Sequence, residues 1–465
     1  MKRLLRILAV LAILAILAGD RRSDAMELSA LPNIVVILVD DLGRNDIGFE
    51  SSKPEIAPRT PNIDSIFRNG VSFRNFYANS PVCSPTRAAL MTGLYPDRVG
   101  VPGVIRQNAS DNWGHLREDA TLLPELLQKH GYATFMVGKW HLGYEKPNRP
   151  TDRGFGSFRG FLGDMMDDYF DHRRGGVNWM RNGTEEVDPT GHATDIFADW
   201  AVEAIRTGAS GNRPFFLYLA FNAPHSPVQP PPAVLEKVRK ERPNLDEKRA
   251  SLVALIEHLD DAIGRVTNEI ERAGIERNTL VVFTSDNGGQ LDLGADNGPW
   301  RGSKGETFEG GIRVVCGARW PGTIPAGLRT NVVALTSDWF ATVADIAGAD
   351  RSGIETDSNS LRNVLMHPSD TDGLDDREAY FVRREGGPNF AGKTIEALRS
   401  GHWKLVLNRP VEPIRLFDLD EDPFEINDLA TKNPVKTREM ISRLQYHIQR
   451  GGQIPWQPIK KGNGR

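Results

Sequence analysis

Cysteine is nearly absent from this chain: two in 465 residues, Cys83 and Cys316. That excludes a disulfide framework as the source of stability. Excess positive charge is missing too, with 57 Lys and Arg against 61 Asp and Glu and a formal net charge of −4. Such a chain is not built to coat nucleic acid, so an anionic ligand would have to be held by charge gathered locally. Beyond the first residues no stretch is apolar enough to span a membrane. There is no internal repeat and no long low-complexity tract.

The one long apolar run, Ile7 to Ala18, follows Lys2, Arg3 and Arg6 and precedes Ser23-Asp24-Ala25. It reads as a signal peptide over residues 1–25, cut after Ala25, with an uncleaved N-terminal anchor as the alternative. The mature protein is then expected outside the cytoplasm, periplasmic or secreted, with no stable membrane insertion. Losing five basic and two acidic residues would make it more acidic still. About 440 mature residues exceed one core. A large domain over 26–355 and a smaller one over 356–465 are expected.

Four apolar runs rich in β-branched or aromatic residues read as buried strands: Ile34–Val39, Ala133–Val137, Phe215–Phe221 and Thr279–Thr284. A helical stripe over 247–273 is core, and residues 150–191 read as loops over the sheet. Together these predict an α/β fold with a mainly parallel sheet between helices. After residue 356 the texture changes to short strands and one amphipathic helix, an α+β subdomain with an antiparallel sheet.

Each of the four strands runs into polar residues. The first ends in Asp40-Asp41-Leu42-Gly43, the second in Gly138-Lys139-Trp140-His141, the third in Ala223-Pro224-His225, the fourth in Ser285-Asp286-Asn287-Gly288. Taken singly, these are also what solvated turns contain. Their shared place at strand carboxyl ends, where open α/β sheets bind ligands, argues for a site. Lys139 and His141, two apart, would point the same way in extended chain, and prolines would hold His225 extended. Asp40, Asp41, Asp286 and Asn287 offer hard oxygens without Cys or His, a set suited to Ca²⁺ or Mg²⁺ and not to zinc. Lys304 lies in a glycine-rich stretch, Asn297–Gly311, that suggests backbone close to a ligand.

Cys83 opens Cys-Ser-Pro-Thr-Arg-Ala-Ala-Leu-Met-Thr-Gly. Pro85 lets a helix begin only after it, and Gly93 is the expected stop. The sulfur then sits at a helix N-terminus, where negative charge is favoured. Cys83 could be a small buried hydrophobe or a thiolate nucleophile paired with histidine. Cys316, in an apolar run, reads as a core thiol.

A third reading comes from likeness. Cys83-Ser84-Pro85-Thr86-Arg87 resembles the sulfatase signature, and the strand-end motifs, the Lys304 loop, Glu309–Val314 and Leu416–Glu425 match that family in order. The resemblance implies an alkaline phosphatase-like fold and hydrolysis of sulfate monoesters, with sulfated carbohydrate or a sulfated small molecule as substrate. It implies that Cys83 is oxidised to Cα-formylglycine by a formylglycine-generating enzyme. The hydrated aldehyde binds a divalent cation, Ca²⁺ in preference to Mg²⁺, held with Asp40, Asp41, Asp286 and Asn287. Asp286 helps the hydrate lose its proton, and Arg87 steadies it. Lys139 and Lys304 hold the sulfate. His225, with Lys304, protonates the departing alcohol, and His141 takes the proton that lets the aldehyde re-form. A phosphate or phosphonate ester hydrolase, a thiolate hydrolase and a non-catalytic carbohydrate-binding relative are the alternatives. Arg44 departs from the family pattern and is expected either at the pocket edge or in solvent.

Overall fold

The computed structural model describes residues 31–455 except 109, 370, 372, 387–392 and 410. The expected signal peptide, residues 1–25 with its cut after Ala25, lies outside the described residues. Among those residues no helix is long and apolar enough to cross a membrane.

The strands are β1 (Asn33–Val39), β2 (Val71–Tyr77), β3 (Ala133–Lys139), β4 (Ser157–Phe161), β5 (Arg173–Arg174), β6 (Val177–Asn178), β7 (Met180–Asn182), β8 (Glu185–Glu186), β9 (Phe215–Ala220), β10 (Thr279–Ser285), β11 (Cys316–Arg319) and β12 (Leu328–Leu335). Ten of them form one sheet in the order β12-β2-β11-β10-β1-β9-β3-β4-β7-β8. Its centre, β10-β1-β9-β3, is parallel throughout, with Leu38 level with Thr284 and Ala220, and Gly138 level with Ala220. Antiparallel β11 and β7 make the sheet mixed.

Alternation explains why these runs are continuously apolar. Ile34, Val36 and Leu38 enter the core on one face, and Val35, Ile37 and Val39 enter the core on the other. Both faces are roofed by helices, so neither set can be polar. Gly138, in the strand that carries Lys139, is needed for closeness: a Cβ there would lie 1.9 Å from the Ala220 carbonyl oxygen, at φ +98°.

The smaller sheet is antiparallel, β13 (Glu378–Arg384), β14 (Thr394–Ser400), β15 (Trp403–Leu407) and β16 (Arg415–Asp418), and the Pro434–Gly452 helix lays Met440 and Leu444 on it. Its core continues into Tyr77, Phe308, Ile312 and Leu335 of the larger part. Lys404 of β15 is fully buried between Glu309 at 2.8 Å and Glu425 at 2.9 Å.

Several local expectations change. Residues 157–161 are a fifth parallel strand beside those four, not loop; the short run Ser-Phe-Arg-Gly-Phe gives no alternation to read. The glycines of 288–311 pack backbone on backbone: a Cβ on Gly288 would meet the Gly310 oxygen at 2.0 Å, and one on Gly311 the Glu306 oxygen at 2.0 Å. Arg44 is neither a pocket residue nor in solvent. It is buried, paired with Glu50 at 2.9 Å and donating to the Val314 carbonyl at 3.0 Å. Cys316 is a core thiol in β11, as expected.

Candidate active site

Four neighbouring parallel strands deliver their following residues to one end of the sheet. Asp40 and Asp41 follow β1, Lys139 closes β3, His225 follows β9, and Asp286 and Asn287 follow β10. Asp41 sits at φ +66° and His141 at φ +58°. The chain therefore leaves extended geometry at His141, although Trp140 N–H and His141 N–H still donate to Phe161 O at 2.8 Å and Leu162 O at 3.2 Å. His225 is in a turn, its N–H donating to Asn222 O at 2.9 Å.

The helix beside these ends runs Cys83–Thr92 and stops at Gly93, which is left-handed at φ +71°. It starts three residues earlier than Pro85 suggested. A proline in the first turn costs no hydrogen bond, because those N–H groups have no intrahelical acceptor. Cys83 is thus the first helical residue, 3 % exposed. Ser84 Oγ accepts from Ile105 N–H at 3.1 Å, and Thr86 Oγ1 donates to Ser80 O at 3.0 Å. Gly305 N–H donates to Pro81 O at 2.9 Å, which ties the Lys304 loop to the Cys83 loop.

Three carboxylates meet three cations around Cys83. Arg87, fully buried, donates to Asp286 Oδ2 from Nε at 3.0 Å and Nη2 at 2.7 Å, lies 3.6 Å from Asp40, and donates to Lys139 O at 3.1 Å. Lys139 Nζ is 2.6 Å from Asp40, and Lys304 Nζ is 2.6 Å from Asp41. Asn287 Nδ2 donates to Asp41 Oδ1 at 2.8 Å. His225 Nε2 lies 3.6 Å from Asp41. The structure therefore brings together Asp40, Asp41, Cys83, Arg87, Lys139, His225, Asp286, Asn287 and Lys304. His141, buried beside them, donates through Nε2 to Ile105 O at 2.9 Å; a carbonyl can only accept, so Nε2 carries the proton.

Charge and burial set the protonation states. Burial alone would raise the Asp40 carboxyl, but Lys139, then His225, Arg87 and Lys304, hold it well below the usual range. Burial, then the charge of Asp40, push Asp286 up to about 7 in spite of Arg87. Burial, then Lys304, lower His225 against the pull of Asp41. Burial, then Lys139 and Arg87, press His141 well below its ordinary value. Burial, then Asp40, push the Cys83 thiol up, which disfavours a resting thiolate.

The donor set fits a hard cation. Asp40 Oδ1 and Asn287 Oδ1 are buried acceptors with no hydrogen-bond partner among the described residues. Asp40, Asp41, Cys83 and His225 offer ligand atoms within 4.8 Å of one another. An oxygen at residue 83 in place of sulfur would join that oxygen-rich group.

Residues 32–349 match the family model described as Sulfatase. The chain belongs to the sulfatase family. Arylsulfatase J of Mus musculus is 31% identical over 89% of this chain and 75% of its own. N-acetylgalactosamine-6-sulfatase of Homo sapiens is 32% identical over 92% of this chain and 87% of its own. The solved structure of Ps i-CgsB in complex with k-i-k-neocarrahexaose superposes with a TM-score of 0.81 at 30% identity, covering 90% of this chain and 93% of that one. This sulfatase hydrolyses sulfate esters on an alkaline phosphatase-like fold.

Two features of the sulfatase's site carry no sequence motif. Ile105 joins Ser84 to His141 through its backbone alone, so its side chain gives no signal. Tyr169 is buried and donates to His225 O at 2.8 Å; an aromatic in a loop segment with weak periodicity could not be told from packing.

Proposed function

We propose that this sulfatase removes sulfate from carbohydrates, using a formylglycine made from Cys83 and a divalent cation held by Asp40, Asp41, Asp286 and Asn287. The observation that carries the reading is the enclosure of Cys83 among Asp40, Asp41 and His225, with Arg87 one turn along its helix. The relatives' names and the carbohydrate in the solved complex support a glycan as the class of substrate.

The cation, Ca²⁺ in preference to Mg²⁺ because several flexible oxygen donors are offered, would polarise the ester's oxygens and those of the aldehyde hydrate. Without it the three carboxylates are balanced by Arg87, Lys139 and Lys304; with it the site carries surplus positive charge that suits an anionic ester. Lys139 and Lys304 flank Cys83 and meet the sulfate oxygens, where charge stabilisation is commonly the largest catalytic contribution. Arg87 holds Asp286 and keeps the helix start in place. Asp286, raised towards neutrality, accepts the hydrate's proton.

The two histidines divide acid and base work. His225 Nδ1–H donates to Ser226 O at 2.7 Å, which leaves Nε2 facing the site beside Asp41. Protonated there, Nε2 gives its proton to the departing alcohol. His141 commits its Nε2–H to Ile105 O, and its buried Nδ1 has no partner among the described residues. It stays neutral and takes a proton from the second hydroxyl of residue 83, so that sulfate leaves and the carbonyl returns.

Export and maturation by a formylglycine-generating enzyme belong to the same reading, as do residues 26–355 acting as the catalytic domain and 356–465 as a subdomain that helps read the alcohol. A desulfation screen over sulfated glycans and an aryl sulfate, with Cys83→Ala as control, tests it. Release of sulfate from glycans by the parent and not by the variant is expected. Turnover of aryl sulfate alone, or activity surviving in Cys83→Ala, overturns it.

A further inference from the structure

A second group of metal-binding side chains shares no residue with the catalytic centre. One ligand atom each of His192, Asp195 and His258 lies within 4.8 Å of the other two. His192 stands just before the Ala193–Ala209 helix, Asp195 lies in its first turn, and His258 comes from the Glu247–Arg272 helix packed against it. The two imidazoles meet edge to face, their centroids 4.8 Å apart. The hydrolysis of sulfate esters uses none of the three.

Two of these side chains are held from behind, which turns a free ligand atom of each towards the group. His192 donates through Nε2 to Gln229 O at 3.0 Å, so its lone pair is on Nδ1. Nδ1 takes a long bond, 3.2 Å, from Thr194 N–H, which an ion would replace. Arg265 donates to Asp195 Oδ1 at 2.8 Å and leaves Oδ2 facing His258. Metal sites fix their imidazoles and carboxylates in this way, through a partner on the far atom. His258 Nε2 is buried 3.2 Å from Asp195 Oδ2, yet it has no hydrogen-bond partner among the described residues. Two ligands of one ion lie that close without being aligned for a hydrogen bond.

The charge suits a dication. Arg265 is shared between Asp195 and Asp199, 2.6 Å from the latter, so two carboxylates face one guanidinium. Burial lowers His192 to about 4, which keeps its ring in the neutral form that binds metal. The Asp195 side chain is 42 % exposed, which gives an ion a way in from solvent. Two imidazoles and one carboxylate favour Zn²⁺ or a neighbouring transition ion over Ca²⁺ and Mg²⁺, the reverse of the oxygen set at the catalytic centre.

We propose that His192, Asp195 and His258 form a second cation site, selective for Zn²⁺ or a similar imidazole-preferring divalent ion. The ion clasps the start of one helix to the middle of the other. Tyr169 rests on that clasp: its ring stacks on His192 at 5.0 Å, and its hydroxyl donates to His225 O at 2.8 Å. In the test, enzyme stripped with EDTA and returned to excess Ca²⁺ is titrated with Zn²⁺ by calorimetry, and unfolded thermally with and without Zn²⁺. Parent, His258→Gln and Asp195→Asn are compared. The parent should take up a single equivalent with micromolar or tighter affinity and unfold at a higher temperature in Zn²⁺. Each variant should bind at least about tenfold more weakly and lose that rise, while unfolding near the parent's temperature in Ca²⁺ alone, which shows that it folds. No uptake by the parent, uptake abolished by excess Ca²⁺, or equal uptake in the parent and both variants would each overturn the site. None of these results bears on the sulfate-ester reading.

Discussion

Replacing Arg87 by glutamine should destabilise the enzyme more than any surface change, and the structure says by how much. Arg87 is fully buried, makes two hydrogen bonds to Asp286, one to a carbonyl, and lies 3.6 Å from Asp40. Around it three carboxylates are matched by three cations. Glutamine takes away the counter-charge of Asp286, whose carboxyl already sits up at about 7; breaking a buried pair from one side costs about 3–5 kcal/mol, and that loss is expected in full at alkaline pH, where Asp286 cannot escape it by taking up a proton. Asp286→Asn added to Arg87→Gln removes the excess charge and should return more than half of that loss, even though each single change is harmful. Calcium should do the same by another route: a cation bound at about 100 times its Kd contributes about 2.7 kcal/mol, so Ca²⁺ should raise the variant's unfolding temperature by more than the parent's. The assay is thermal unfolding in EDTA and in Ca²⁺, for parent, single and double variants. A loss under about 1 kcal/mol, or an Asp286→Asn change that adds to the loss, would refute the charge balance.

Other consequences follow from the same contacts. His225→Gln should lower kcat by about 10²–10⁴ on alkyl sulfates, and by much less on p-nitrophenyl sulfate, whose leaving group needs no proton; equal losses would remove His225 as the acid. Because the acid form of His225 is required and burial lowers its proton affinity below the ordinary histidine value, kcat should fall as pH rises through that lowered value, and the limb should vanish in His225→Gln. His141, lowered further, must be neutral, so its limb lies on the acid side; a descending limb that survives in His225→Gln would contradict the acid assignment. Lys404→Met strands Glu309 and Glu425 together and should cost about 3–5 kcal/mol, less at low pH where the carboxylates protonate, as read by unfolding at two pH values. Gly138→Ala should cost about 2–4 kcal/mol from its positive φ and the clash with Ala220 O, and should lower activity by displacing Lys139; a stable, fully active variant would show that the strand can give way.

The site was legible because its chemistry hangs on strand ends. Asp40, Lys139, His225 and Asp286 stand more than 40 residues apart along the chain, yet each follows an apolar run that can only be a buried strand, and parallel strands in one sheet put such ends together. What the chain could not disclose was the local backbone. Left-handed φ at Asp41 and His141 is only weakly signalled, since Asp and His adopt it more often than most residues yet seldom do, so the extended geometry expected through His141 was wrong. Pro85 was read as a barrier to a helix, although in a first turn it is harmless. Arg44 was open between the pocket edge and solvent, and it takes neither place because Glu50, which nothing in the sequence pairs with it, meets it inside the fold. The glycines near Lys304 were taken for a ligand cradle, when three backbones meeting there need the room themselves.

The central claim concerns the side chain at position 83, and the peptide that carries it can be weighed. Enzyme purified from its native host in active form, digested and measured by mass spectrometry, should give a residue-83 peptide that has lost its sulfur and reacts with a hydrazine, as an aldehyde does. A fully active preparation whose residue-83 peptide is an intact, alkylatable thiol would contradict the account.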